Sequence, residues 1–204
     1  MPESALHSPD LLVRAEAVAC RRAGRDVFAG IDFGLAAGRA LVLRGPNGSG
    51  KSSLLRLLAG LLEPAAGSVT IEPTADGAPG FHYVGHGDPA KPNLTVEENL
   101  AFAVALTGGG NVEAGLKGFA LQRLADTPAR YLSSGQRRRL TLARLLAAAK
   151  PVWLLDEPGV GLDAANRDRL ESAITGHLAA GGAVIAATHG DIAIDGATVL
   201  EFGR

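Results

Sequence analysis

The chain has 204 residues, 47% of them hydrophobic and 4% aromatic, with 20 basic against 21 acidic side chains and one cysteine. That length and composition suit one folded domain with a full core and exclude a disordered or fibrous chain. A net charge of −1 gives no field that would draw in nucleic acid, and the lone Cys20 rules out an internal disulfide and fits a reducing compartment.

The opening segment MPESALHSPD has no basic stretch followed by an apolar one, so it does not read as a signal peptide. LLVRAEAVAC and AGIDFGLAAGRA partly alternate and are punctuated by glycine, which predicts short antiparallel strands. ALVLRG is a buried strand stopping at a glycine-rich loop, and a leucine-rich helix from Ser52 to Leu62 is expected to end at Pro64. Its run LLRLLAGLL carries Arg56 and is far shorter than the roughly 18 to 20 apolar residues of a membrane span. GSVTIE and FHYVG are strand-like. Thr95 and Glu98 have capping-box spacing and open a helix, TGGGN is a loop, and 112–150 read as helical with breaks near Pro128 and at LSSGQ. VWLLDEP is a buried strand, Asp163 to Ala180 a helix, and GAVIAATH and ATVLEFG the last strands. Strands near both ends with helices between them predict an α/β sheet carrying a helical insertion at about 90–150 within a single domain, 1–204.

GPNGSGKS, residues 45–52, fits G-x-x-x-x-G-K-[ST] at every fixed position, between a buried strand and a helix. Gly45, Gly48 and Gly50 let the backbone N–H groups of Pro46's successors, Asn47 to Ser53, converge on a phosphate without Cβ clashes. The helix N-terminus behind the loop adds a favourable partial charge. Gly45, Pro46, Asn47, Gly48, Ser49, Gly50, Lys51, Ser52 and Ser53 are thus the nucleotide-binding candidates, with Lys51 reaching the β- and γ-phosphates and Ser52 a ligand of Mg²⁺. VWLLDEP ends a buried strand in two carboxylates, which a cation or a reacting group must justify. Successive strand residues face opposite ways, so Asp156 and Glu157 have different tasks. Asp156 is the candidate for the Mg²⁺ shell and Glu157 the candidate general base towards water. In YLSSGQRRRLTLARLL, Ser133 and Ser134 can cap an amphipathic helix whose N-terminus is a second anion site. The arginines after it suit a solvated face or a place near phosphates.

With these motifs in this order, the chain resembles the ATP-binding cassette family over its whole length. GPNGSGKS stands as Walker A, LSSGQ as the signature loop (usually Leu-Ser-Gly-Gly-Gln), VWLLDEP as Walker B, GLD with Asp163 as the D-loop, and ATH supplies His189 as the switch histidine. The resemblance implies a P-loop NTPase fold: a RecA-like core, an N-terminal antiparallel β subdomain and a small helical subdomain. It also implies an ATPase using ATP and Mg²⁺ whose two copies close head to tail as a homodimer. Ser133, Ser134, Gly135 and Gln136 of one copy would then face the γ-phosphate held by Lys51 and His189 of the other. The chain departs from the pattern at Ser134 for glycine and at GVG before the D-loop, where the family often has a small hydroxyl. The adenine-stacking aromatic falls near Arg22, which is not aromatic and either stacks on the base or stays a solvated charge.

Within the family the chain is most similar to ATP-binding subunits of the cytochrome c biogenesis haem exporter, through ACRRAGRDVFAGIDF, YVGHGDPAKPNLTVEENLAF and YLSSGQRRRLTLARLL. That similarity implies partnership with integral membrane subunits at the cytoplasmic face of a bacterial inner membrane, to export haem or to release a haem-loaded chaperone. An ATPase of another ABC transporter, for lipoproteins, metals or drugs, and a soluble ABC ATPase outside transport stand as alternatives. His86 occupies the Q-loop position, framed by Gly85 and Gly87. His82 and His86 are of a type that ligates haem, but an aromatic content of 4% argues against direct ligation and leaves His82 either packed or exposed on its strand and His86 lining the γ-phosphate side. Leu94, Leu100, Phe102 and Val104 are divided in expectation between helix core and a docking surface for the membrane subunit.

Overall fold

A computed structural model describes residues 11–87 and 89–203. The opening decapeptide, Asp88 of the His86 loop and Arg204 lie outside the described residues. The chain forms β1 (Leu11–Arg22), β2 (Arg25–Ala36), β3 (Ala40–Arg44), α1 (Lys51–Leu58), β4 (Ala66–Ile71), β5 (Phe81–Val84), α2 (Val96–Thr107), α3 (Val112–Gly118), α4 (Ser134–Ala147), β6 (Val152–Asp156), α5 (Ala164–Ala179), β7 (Ala183–Ala187) and β8 (Thr198–Glu201). Short 3₁₀ turns cover Gln122–Leu124 and Ala129–Tyr131.

The strands form two sheets. One is antiparallel in the order β2-β1-β4. The other is parallel, in the order β5-β6-β7-β3-β8. β6 and β7 are buried at every position, as parallel strands covered on both faces must be. Their side chains alternate between two cores. Trp153, Leu155, Val184 and Ala186 pack with Leu100, Leu140 and Leu170 of the helices. Val152, Leu154, Ala183, Ile185 and Ala187 pack with Leu54, Leu57 and the antiparallel sheet. This period-2 alternation fixes the function of the next residue: Asp156 shares the face of Leu154, towards α1. The register places Asp156 opposite Ala187, and Ala187 opposite Leu43, so the strand ends that carry the motifs lie at one edge.

Element types agree with the sequence expectation, and some boundaries do not. The two N-terminal strands are twelve residues each rather than short, with β2 starting at Arg25. α1 stops at Leu58, before Pro64 has any say. Gly60, at φ 65°, takes the left-handed turn, Leu61 N–H donates to the Arg56 carbonyl at 2.8 Å and Gly60 N–H to that of Leu57 at 3.0 Å. This paired cap is the ordinary way glycine closes a helix. The stretch 112–150 is less helical than expected. Ala120, at φ 51°, closes α3 by the same device through Leu121 N–H to Leu116 O at 2.8 Å. The Thr95–Glu98 capping box is present in both directions. Among the described residues, no helix is long and apolar enough to cross a membrane.

Candidate functional site

The phosphate loop leaves β3 and enters α1 through glycines in conformations that other residues resist: φ is 144° at Gly45, 80° at Gly48 and 110° at Gly50. Gly50 is also sterically confined, since a Cβ there would stand 2.7 Å from Phe28 Cδ1 and 2.9 Å from Val27 Cγ1. The Lys51 ammonium is folded back on the loop, donating to the carbonyls of Gly45 at 2.7 Å and Pro46 at 2.9 Å. It is therefore held over the space that a phosphate would take, with partners it can exchange. Ser49 Oγ is buried without a hydrogen-bond partner.

Asp156 is fully buried at the end of β6. Its Oδ1 accepts from Ser52 Oγ at 2.9 Å, as the alternation towards α1 requires. Its Oδ2 has no hydrogen bond, and His86 Nε2 lies 3.5 Å from it. A desolvated carboxylate oxygen left open beside a serine hydroxyl fits a hard, oxygen-seeking cation such as Mg²⁺. No group of three or more His, Cys, Asp or Glu side chains among the described residues could hold a metal alone. A cation held by Ser52 and Asp156 would thus draw its remaining ligands from water and phosphate, as Mg²⁺ does.

Glu157 lies just past the end of β6. Its backbone is at φ 47°, a region that costs a non-glycine residue on the order of 1–3 kcal/mol and persists only where surroundings enforce it. Its N–H donates to Ala187 O at 2.9 Å, and its carboxylate Oε1 lies 3.4 Å from His189 Nε2 beyond β7. His189 is held in a loop where Thr188 Oγ1 donates to Asp191 Oδ1 at 2.5 Å. Arg22, Val27, Asn47, Gly48, Gly50 to Ser53, His86 and Glu157 line one cleft of about 510 Å³. A larger groove of about 610 Å³, beside the C-terminal ends of α4 and α5, is lined by residues such as Leu146, Lys150, Trp153 and His177 and none of the phosphate-loop or carboxylate residues.

The signature segment folds as a cap. Ser133 is the N-cap of α4, with Gln136 N–H donating to Ser133 Oγ at 3.3 Å and Ser133 N–H to Gln136 Oε1 at 2.8 Å. The box engages one acceptor of each side chain and leaves the Ser133 hydroxyl proton and the Gln136 amide NH2 free to donate. Ser134 is the first helical residue rather than a cap, and it lies with His86, Glu157 and Val160 around a cleft of about 170 Å³. Asp163 caps α5, accepting from Asn166 N–H at 2.9 Å and from its side-chain amide at 2.7 Å, which together hold its carboxyl below the usual carboxylate range.

The arginines after the signature are not a solvated face. Arg137 donates to Leu132 O at 3.0 Å, Arg139 to the carbonyls of Phe119 and Ala120, and Arg138 to those of Gly85, Glu157 and Pro158. Arg138 was not legible as a site residue, because its partners are backbone carbonyls far off in sequence. Nor was Gly159, where a Cβ would stand 2.1 Å from Asp191 Oδ2. That close approach accounts for glycine in the GVG departure. Neither Gly85 nor Gly87 has a positive φ; Gly85 is needed because a Cβ would come within 2.9 Å of the Tyr83 hydroxyl.

His82 packs. Its Nε2 meets the Ala148 carbonyl, and burial pushes its pKa down to about 4 from 6.5. His177, stacked on Trp153 at 3.9 Å and hydrogen-bonded to Pro151 O, is lowered by burial too. A group refused its proton by the fold adds nothing above its unfolded pKa and destabilises below it. Between pH 6.5 and 4 the His82 contribution should therefore cost stability as pH falls, by up to roughly 1.4 kcal/mol per pH unit. Urea midpoints across this window should show a flatter decline in His82→Gln, whose amide can still donate to Ala148 O. An equal decline in both proteins would remove His82 from the acid response.

Of the docking candidates, Leu100 is fully buried, Leu94 and Val104 are half-buried, and Phe102 is exposed with the Lys91 ammonium 4.5 Å from its ring centroid. Leu106, one turn beyond Phe102 on α2, is also exposed.

Residues 28–160 match the family described as ABC transporter. The chain is 54% identical over 194 residues to the protein named Cytochrome c biogenesis ATP-binding export protein CcmA from Rhodospirillum rubrum, covering 91% of this chain and 83% of that one. It is 51% identical to the protein of the same name from Paramagnetospirillum magneticum, covering 96% and 95%. Among solved structures, one titled Structure of ATP binding subunit of ABC transporter superposes with a TM-score of 0.77 at 24% identity, covering 87% of this chain and 80% of that one. A putative ABC transporter ATP-binding protein from Pyrococcus furiosus gives 0.76 at 20% identity, with 93% and 96% covered. At these identities the two structures speak for the fold alone.

Proposed function

The chain belongs to the ABC transporter family, and we propose that it is the ATP-hydrolysing subunit of an export complex for cytochrome c biogenesis. The observation that carries the chemistry is the convergence of Lys51, Ser52, Asp156, Glu157 and His189 at the C-terminal edge of one parallel sheet, where such folds bind ligands. The branch rests on relatives that share about half of this sequence over most of their length.

In this reading the whole chain acts as one ABC ATPase domain with its helical insertion at about 90–150. Lys51 leaves its two carbonyl partners for the β- and γ-phosphates, and the N–H groups from Asn47 to Ser53 surround them. Arg22, on the cleft wall, faces the base side. Ser52 and Asp156 hold Mg²⁺, which neutralises charge on the phosphates when bound. Glu157 takes a proton from the attacking water, and His189 steadies that carboxylate and the γ-phosphate oxygens. Ser134 and Gly135 of a second copy close over the nucleotide in a homodimer, beside Ser133 and Gln136, whose capping box holds the start of the helix in place. The membrane subunits bind near the exposed Phe102 and Leu106, on the cytoplasmic face of the inner membrane. The work done is haem export or release of a haem-loaded chaperone.

The test is His86 in the assembled complex. Neutral histidine and glutamine each offer a donor and an acceptor. His86→Gln should therefore keep ATPase activity within about threefold of wild type and support cytochrome c maturation. His86→Ala should bind ATP yet lose maturation. If cells lacking the wild-type gene still mature c-type cytochromes, the branch is wrong. If His86→Ala alone restores normal maturation, His86 merely fills its loop.

A further inference from the structure

We propose that Arg138 is a positioning residue that ties the signature helix to both catalytic loops through one guanidinium, an inference that rests on the ATPase reading above. Arg138 stands one turn into α4, behind Ser134 and Gly135. Its Nη2 donates to the Glu157 carbonyl at 2.8 Å, its Nη1 to the Gly85 carbonyl at 2.9 Å, and its Nε approaches the Pro158 carbonyl at 3.4 Å. The first and third of these carbonyls belong to the two successive peptides on either side of Pro158. The second belongs to the residue before His86.

The Glu157 backbone explains why such a clamp is needed. At φ 47° it sits in a conformation that an unrestrained glutamate leaves. Its two peptide groups are fixed from opposite sides. The N–H is anchored to Ala187 O of β7 at 2.9 Å, and the carbonyl accepts from Arg138 and, at 3.3 Å, from Val160 N–H. With both ends fixed, the side chain is aimed at His189 rather than along the strand. Remove the guanidinium and the carbonyl end of the strained peptide keeps only the 3.3 Å bond from Val160 N–H. The carboxylate then drifts from the line of attack, and small displacements of a catalytic group cost large factors in rate.

The chemistry selects arginine. Three carbonyls in two loops ask for donors spread across a rigid plane, which the guanidinium fork supplies. Lysine is a point charge able to satisfy one or two of them, and glutamine has a single amide nitrogen. A shift of α4 against the sheet, as when a second copy engages the signature loop, must move Glu157 and the His86 loop with it or break these bonds.

Arg139 provides the matched control. It makes the same kind of bond from the same helix, to Phe119 O at 3.3 Å and Ala120 O at 3.2 Å, neither of which lines the nucleotide cleft. The full chain, with its membrane subunits, is assayed for ATPase kinetics, nucleotide affinity and melting temperature. Arg138→Gln should lower kcat by about 10- to 100-fold with KM and ATP affinity within about threefold of wild type. Arg139→Gln should leave kcat unchanged while melting no higher than Arg138→Gln. Arg138→Lys should recover part of kcat, and it serves as the deciding variant if Arg138→Gln does not fold. Wild-type kcat in either Arg138 variant, or an equal loss of kcat in Arg139→Gln, overturns the proposal. Failure of both Arg138 variants to fold overturns it too, since the role is then structural. Absence of ATPase activity in wild type would instead strike the functional reading beneath it.

Discussion

Glu157→Gln binds ATP with near wild-type affinity and turns over about 10²–10⁴-fold more slowly, accumulating as an ATP-bound dimer. The amide keeps the volume and the backbone anchors to Ala187 and Arg138, none of which involves the side-chain oxygens. It also keeps an acceptor or donor for His189, 3.4 Å away. What it loses is the capacity to take a proton from water. Single-turnover hydrolysis and nucleotide affinity, measured separately, give the answer. Turnover within a fewfold of wild type would take Glu157 out of the role of base. Loss of affinity together with turnover would make it a binding group instead.

Asp156→Asn separates function from stability in opposite directions. Hydrolysis should fall by about 10²–10³-fold, because the buried anionic ligand of the cation site becomes a neutral one. The nucleotide-free protein should nevertheless melt at or above the wild-type temperature. The carboxylate is fully buried, its Oδ2 has no hydrogen bond, and a buried charge without a full set of partners opposes folding. Asparagine can keep the bond from Ser52 on its oxygen and turn its amide to His86 Nε2, which accepts in one neutral tautomer. Paired melting curves with and without MgATP, beside an Mg²⁺ titration of hydrolysis, check both halves. A melting temperature several degrees below wild type would mean that Asp156 is structural, and unchanged hydrolysis would move the metal elsewhere.

Elements that depend on local rules are legible in the order of the residues. Glycine spacing set the phosphate loop, because few residues other than glycine accept φ values such as 144° and 110°. Thr95 with Glu98 set the start of α2, because a capping box is closed within four residues. The alternation of VWLLDEP turned Asp156 towards α1, whereas Glu157 lies beyond β6 at φ 47° and takes its direction from that backbone conformation rather than from the pleat. Where a stop depended on left-handed backbone, as at Gly60 and Ala120, the reading ran past it. An obvious proline, or continuing helical spacing, gave the stronger local signal.

The tertiary structure alone decided which distant groups meet. The bond of Ser52 to Asp156 spans 104 residues and exists because β7 lies between β3 and β6 in register. Arg138 reads in the sequence as one of three arginines on a solvated face or near phosphates, and becomes a clamp only when β5 and β6 bring Gly85 and Glu157 to the same helix. Gly159 looks like a lost hydroxyl until Asp191 is seen to occupy the space a Cβ would need. Local propensity acts over a few residues and leaves its mark in composition and spacing. Backbone carbonyls have no identity in the sequence, so contacts made to them appear only when the sheet order places the strands.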